Sequence, residues 1–184
     1  ILLLGPLLVC RKSAKVPLPG GCAIGTRPID FHILVMQALG ANVDYDSGFI
    51  LASIGKEGLR GGVIDFPRVS VGATESAIMT SVLANGQTII LNAAKEPEIV
   101  DLGKCLLSAG AKIEGLGTNR ITVNGIKKLS KVDHYVVSDR IEAGSFAVAA
   151  SITMGDVEIN NVNSNDLSYF LKVLRLTGSK IQTD

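Results

Sequence analysis

Tryptophan is absent from this chain, and aromatic residues make up only 4% of it. Any core must therefore be assembled from Leu, Ile, Val and Ala. An excess of one charge is also missing: 18 basic residues face 17 acidic ones, for a net charge of +1. So balanced a chain has no general electrostatic attraction for nucleic acid or an anionic membrane, and an anionic ligand must be held by a few placed cations. Cysteine is scarce and odd in number, at Cys10, Cys22 and Cys105. That argues against a disulfide framework or a zinc site and suits a reducing cytosol. Long apolar runs are lacking too. The opening Ile1 to Val9 is too short to span a bilayer, and Arg11 and Lys12 follow it rather than lead, unlike a signal peptide. It reads as a buried helix cut from a longer chain, and the final Lys180 to Asp184 reads as an interrupted strand.

What is present is a globular composition, 47% hydrophobic and 19% charged over 184 residues, enough for one good core or two small ones. An internal repeat organises it. Helices are predicted from Pro28 to Leu39, from Pro97 to Ala109 and from Asp166 to Thr177, each closed by a glycine. Those glycines, Gly40, Gly110 and Gly178, stand 70 and 68 residues apart. Leu34, Ala38 and Leu39 form one predicted apolar face, and Leu102, Leu106 and Leu107 another, with Cys105 among them and Cys10 beside Leu7 and Leu8 as inert core thiols. A second helix–strand pair recurs between these. Ala73 to Ala84 leads through Gly86 to Thr88–Leu91, and Ile141 to Thr153 leads through Gly155 to Val157–Ile159, the two glycines 69 apart. Ile121-Thr122-Val123-Asn124 alternates as a strand with one face for a core. Such units cannot bury their sheets alone. They are expected to pack as a few copies with helices inside and sheets outside.

Three segments carry the chemistry. In Leu18-Pro19-Gly20-Gly21-Cys22-Ala23-Ile24-Gly25-Thr26-Arg27-Pro28, glycines flank one cysteine on both sides, which a core thiol does not need and an exposed loop does. Arg27 and the helix start at Pro28 both favour a thiolate and attract phosphate; a plain glycine-rich turn over a buried thiol is the competing reading. Pro67-Arg68-Val69-Ser70-Val71-Gly72 is a small, hydroxyl-bearing turn that opens a helix beside a cation, a phosphate site in outline. It is not a P-loop, since no Gly-Lys-Ser/Thr follows, and a simple cap by Ser70 or Thr74 explains it equally. Ser138-Asp139-Arg140 reads as a helix cap with solvated charges. His32 is a candidate ligand-facing side chain, whereas His134 reads as surface. No Ser-His-Asp set or metal-ligand cluster emerges.

Taken in order and spacing, LPGGCAIGTRPIDFH, RVSVGATES, NAAKEPEIVDL, GAKIEGLGTNRI and SDRIEAGSF resemble the UDP-N-acetylglucosamine 1-carboxyvinyltransferase family over essentially the whole chain. The resemblance implies an α/β fold, an inside-out α/β barrel of the enolpyruvyl transferase type built of repeated β-α-β-α-β-β units. It implies residues 1–138 as most of one domain and 139–184 as the start of a second, with the site in the cleft between them and the cysteine loop as its lid. The implied reaction passes enolpyruvate from phosphoenolpyruvate to the 3-hydroxyl of UDP-N-acetylglucosamine, with small-molecule substrates, no cofactor and no metal, in the cytoplasm.

Residue by residue, Cys22 matches the family's loop cysteine, a general acid toward phosphoenolpyruvate that forms a covalent adduct and is alkylated by fosfomycin. Arg27 matches a phosphate-contacting arginine. Arg27, Pro28, Ile29, Asp30 and Phe31 match the run lining the sugar-nucleotide site, and Arg68, Val69, Ser70 and Val71 the segment that receives the uridine diphosphate. Arg68 stands where relatives often have Lys, and Phe31 and Thr26 where they often have Leu and Ala. The family's amino-terminal Lys-Asn pair, an Arg just before Ile1 and later Asp and Arg residues have no counterpart here, so the chain alone is expected not to turn over. Other enzymes of the fold, such as 3-phosphoshikimate 1-carboxyvinyltransferase, and a non-catalytic sugar-nucleotide-binding domain are the alternatives.

Overall fold

The three repeat glycines set the phase of the fold. Gly40, Gly110 and Gly178 have φ of +88°, +97° and +98°, the left-handed region in which a residue without Cβ is at ease. Each donates its N–H to a carbonyl of the helix it closes, namely Gln37, Leu107 and Arg175. After the first two, Ala41 and Ala111 reach back to the carbonyls of Met36 and Leu106, which completes the six-to-one bond of a Schellman ending.

The computed structural model describes residues 1–21 and 28–183. The chain divides into two compact units, Ile1–His134 and Tyr135–Asp184. The first unit runs α1 (Leu4–Arg11), β1 (Ser13–Pro17), α2 (Asp30–Ala38), β2 (Asn42–Asp46), β3 (Phe49–Ser53), β4 (Val63–Asp65), α3 (Val71–Ser81), β5 (Gln87–Leu91), α4 (Pro97–Ser108), β6 (Lys112–Glu114) and β7 (Arg120–Asn124). Its two sheets have orders β1-β3-β2 and β4-β5-β7-β6. Their shared part is the same: a strand, a helix and a hairpin whose second strand returns between the first two. In register, Ile50 of β3 faces Val16 and Tyr45, and Val123 of β7 faces Thr88 and Ile113. β4 adds a parallel strand beside β5. The repeat read from the glycines is thus a repeat of sheet topology.

Each sheet turns one face to the helices and the other to solvent. Along β7, Ile121 and Val123 are fully buried while Arg120 is exposed, the alternation a half-buried strand requires. α3 lies between the other helices and packs on α1, α2 and α4. Its composition explains its position. Ala73, Thr74, Ser76, Ala77, Ile78, Thr80 and Ser81 are all buried, and small side chains let neighbouring helices approach closely. Against it Gly5 of α1 has no room for a side chain: an added Cβ would stand 1.9 Å from the Thr80 hydroxyl oxygen. Helices inside and sheets outside, expected from the repeat, is what this unit shows.

Some expectations need correction. The buried side of α2 is His32, Ile33, Val35 and Met36, with Leu34 only half-buried and Ala38 exposed, because α2 is covered from both the sheet and α3. α4 buries Ile99 and Gly103, leaving Leu102, Leu106 and Cys105 half-buried and Leu107 exposed. Cys10 is exposed rather than a core thiol. It follows Leu8 by two positions, about 200° around a helix, which turns it away from the buried face of Leu4, Gly5 and Leu8. His134 is not simply on the surface: its Nε2 lies 3.0 Å from Asp101 Oδ1, and both side chains are largely covered.

The second unit holds α5 (Arg140–Ile152), a 3₁₀ turn (Ser164–Leu167) and α6 (Ser168–Leu176). Asp139 caps α5 through bonds from the Ile141 and Glu142 N–H groups at 2.8 and 3.2 Å, as its sequence suggested. The strands anticipated at Val157–Ile159 and Lys180–Asp184 do not form among the described residues, where no ladder partner pairs with them. Ala143, Leu167 and Leu171 form the buried centre of this unit. No helix among the described residues is long and apolar enough to cross a membrane.

Candidate functional site

Cys22 and Arg27 lie outside the described residues. The rest of the candidate site is built on the first turns of α2 and α3. Ser70 precedes α3 with extended backbone, and its side chain accepts the Ala73 N–H at 3.4 Å, the cap its sequence allowed. Thr74 does a different job. Its hydroxyl donates to the Ser70 carbonyl at 2.8 Å and accepts the Ala94 N–H at 3.0 Å, tying the first turn of α3 to the segment after β5. By helix geometry the N–H groups of Val71 and Gly72 have no intrahelical acceptor and carry the positive end of the helix dipole.

The turn before Ser70 is held just as firmly. Asn92, with φ of +54°, donates its side-chain amide to the Phe66 carbonyl at 2.8 Å and to Asp65 Oδ1 at 3.2 Å. Phe66 is fully buried, and its ring centroid stands 5.9 Å from that of Phe31, tilted by 35°. Over Phe31 lies the Arg68 guanidinium, 5.3 Å from the ring centroid. Among the described residues no carboxylate pairs with Arg68.

One residue further along α2, His32 is 9% exposed, and its Nδ1 has no hydrogen-bond partner among the described residues. Its ring abuts α3: a Cβ added to Gly72 would stand 3.5 Å from His32 Cε1 and 3.6 Å from Nε2. Burial above all, opposed by Asp30, holds its pKa below the usual histidine value.

The structure therefore brings Phe31 to Arg68 and His32 to Gly72. Pro28, Asp30 and Val69 are exposed nearby in sequence, and Ile29 and Val71 pack on the core. Reading the sequence passes over Phe66, and it names Thr74 only as a possible cap and Asn92 only as the start of the NAAKEPEIVDL segment, without the positioning contacts that the fold gives all three. Chemically, two helix starts with a planar cation between them suit a phosphorylated ligand. Among the described residues no group of three or more His, Cys, Asp or Glu side chains is placed to hold a metal ion. A cavity of about 590 Å³ in the second unit is lined by Arg140 and Ser145 of the SDRIEAGSF segment and by Asp166 and Phe170, among others.

UDP-N-acetylglucosamine 1-carboxyvinyltransferase from Zymomonas mobilis subsp. mobilis is 52% identical over 184 residues, covering 100% of this chain and 43% of that protein. The protein of the same name from Rhodospirillum centenum is 51% identical over 174 residues, 95% of this chain and 40% of its own. The chain thus spans less than half the length of these relatives. Among solved structures, the enolpyruvyl transferase NikO from Streptomyces tendae superposes with a TM-score of 0.77 at 17% identity, over 99% of this chain and 44% of that one. EPSP synthase from Acinetobacter baumannii gives 0.60 at 24% identity, over 82% and 34%. At those identities the likeness is one of fold. The model of the EPSP synthase (3-phosphoshikimate 1-carboxyvinyltransferase) family matches residues 1–184, and the chain belongs to that family.

Proposed function

We propose that this chain is the sugar-nucleotide-binding and cysteine-bearing part of a UDP-N-acetylglucosamine 1-carboxyvinyltransferase, which makes the first committed step of peptidoglycan synthesis in the cytoplasm. The observation that carries the reading is identity of about half over the whole chain to proteins of that name. In this assignment the 3-hydroxyl of UDP-N-acetylglucosamine gives its proton to a general base and its oxygen bonds to C2 of phosphoenolpyruvate, while the C2–C3 double bond takes up a proton at C3. C3 then loses a proton, and the bond from C2 to the phosphate oxygen breaks, releasing inorganic phosphate.

Cys22 supplies the proton to C3 as general acid, and as a thiolate it is the atom that fosfomycin alkylates. Arg27, Pro28, Ile29, Asp30 and Phe31 line the sugar nucleotide. Arg68, with Val69, Ser70 and Val71 at the start of α3, receives its diphosphate. This division is supported by the position of Arg68, two residues before the Ser70 cap of α3, with no carboxylate paired with it among the described residues.

The test is phosphate release by the protein at its natural length, given both substrates, with wild type, Cys22→Ser and Cys22→Asp compared. Release is expected to need both substrates and to fall at least a hundredfold in the Ser variant, in line with loss of a general acid (about 10²- to 10⁴-fold). Survival of the Asp variant, which still donates a proton, supports acid catalysis over an obligatory covalent step. The family model and the solved EPSP synthases favour one competitor, so shikimate 3-phosphate is offered as the alternative acceptor. Turnover with it and none with UDP-N-acetylglucosamine would overturn the assignment; no turnover with either leaves a sugar-nucleotide-binding module.

A further inference from the structure

An arginine on an exposed turn ordinarily samples many rotamers, and fixing one costs side-chain entropy. Arg68 is exposed on such a turn, two residues before the cap of α3, yet its guanidinium rests 5.3 Å from the Phe31 ring centroid. The ring beneath is itself fixed. Phe31 is half-buried on the first turn of α2, and its ring centroid stands 5.9 Å from that of Phe66, which is fully buried. Phe66 is in turn held by its carbonyl to the Asn92 amide at 2.8 Å and by its N–H to the Leu91 carbonyl at 3.3 Å. A continuous stack therefore runs from the core, through Phe66 and Phe31, to a cation at the surface. No carboxylate among the described residues uses that cation.

We infer that Phe31 is a positioning residue: its ring holds the Arg68 guanidinium flat and pre-aimed, so that two N–H donors meet the diphosphate of a nucleotide sugar at the first turn of α3. This rests on the function proposed above and deepens it. There Phe31 was one of several lining residues; here it acts through Arg68. Ring and guanidinium form one device. Lysine, a compact point charge with no plane to stack, would gain far less from the ring.

The experiment is a double-mutant cycle on the protein at natural length, with wild type, Phe31→Leu, Arg68→Lys and the double variant. Binding of UDP-N-acetylglucosamine is measured by titration calorimetry, and KM for each substrate by phosphate release. Phe31→Leu is expected to weaken sugar-nucleotide binding about three- to fivefold, the scale of a cation–π contact at an exposed site. The KM for phosphoenolpyruvate should stay within twofold. In the Arg68→Lys background the same change should cost less than twofold, and Phe31→Tyr, which keeps the ring, should bind like wild type. An equal loss from Phe31→Leu in both backgrounds overturns the inference, because the ring would then serve the ligand or the fold directly.

Another measurement needs no variant. The Arg68 Nε–H resonance of the wild type should lie upfield through the ring current of Phe31, and an ordinary shift would also overturn the inference. If wild type does not bind UDP-N-acetylglucosamine, the proposed function fails first. The cycle is then repeated with inorganic pyrophosphate: coupling there sustains the role of Phe31, and no coupling or no binding ends it.

Discussion

Gly125 follows the last residue of β7, and its lack of a side chain is a steric requirement. An added Cβ would stand 1.6 Å from the Ala84 carbonyl oxygen and 2.8 Å from its carbon. Both are backbone atoms, and Gly125 N–H is already committed to the Gly86 carbonyl at 2.9 Å, so neither strand end can swing away. Gly125→Ala is expected to destabilise the chain by about 2 kcal/mol or more, as forced overpacking does. Gly55→Ala, where nothing lies within 4 Å of the added atom, should change stability by less than about 0.5 kcal/mol. Urea midpoints of the two variants decide it; equal midpoints would mean that the β7 end is not held as described. Such clashes are not legible in a sequence, because Ala84 and Gly125 meet only through the fold. Local chemistry was legible: Ser70 and Asp139 cap their helices as their positions before apolar runs implied. The misreading of Cys10 came from counting apolar neighbours along the chain instead of angles around the helix, and that of Leu34 from a cover of α2 on two sides that only the fold supplies.

At the scale of the element, α3 shows how a weakly apolar sequence becomes the innermost helix. Its Ser and Thr residues are poor helix formers, but they are small, and one of them, Thr80, returns its hydroxyl to the Ser76 carbonyl at 2.6 Å. Glu75 sits badly in this setting. Half-buried on α3, it has its pKa raised first by burial and then by Glu98 on the neighbouring α4. The folded state therefore holds the Glu75 proton more tightly than the unfolded chain does. Below pH 4.5, the ordinary value, both states are protonated and nothing is lost. As pH rises through the raised folded value, the charged form is penalised only in the folded state, and stability falls. Glu75→Gln is therefore expected to stabilise the chain at pH 7, with the gain fading toward pH 4. Thermal denaturation across that range tests it. A gain that does not depend on pH would assign the effect to packing instead of charge. The sequence revealed the hydroxyl-rich start of α3, but not that α4 would bring a second carboxylate beside it.

Across the whole molecule the two units differ in how much core each has. The first gathers Leu4, Met36, Ile64, Phe66, Ile90 and Ile121, all fully buried, around α3. The second encloses mainly Ala143, Leu167 and Leu171, while Met154 is 94% and Leu176 81% exposed. The repeat explains why both were legible as helices and only one as sheet. Helices close their own hydrogen bonds and end on their own glycines, so Gly178 reads like Gly40 and Gly110. A strand exists only with a partner, and Val157–Ile159 finds none among the described residues. Small cores seldom supply more than a few kcal/mol. Amide exchange of the 184-residue chain should therefore be strongly uneven. The N–H groups of Ile90 and Val123, in the centre of the four-stranded sheet, should exchange only by global opening of the first unit. Those of α6 should exchange at least a hundredfold faster, through opening of the second unit alone. Denaturant should accelerate the first set steeply and the second only slightly, because the smaller opening exposes less surface. If both sets share one protection factor and one denaturant slope, the chain opens as a single cooperative body, and the contrast in core size has no energetic consequence.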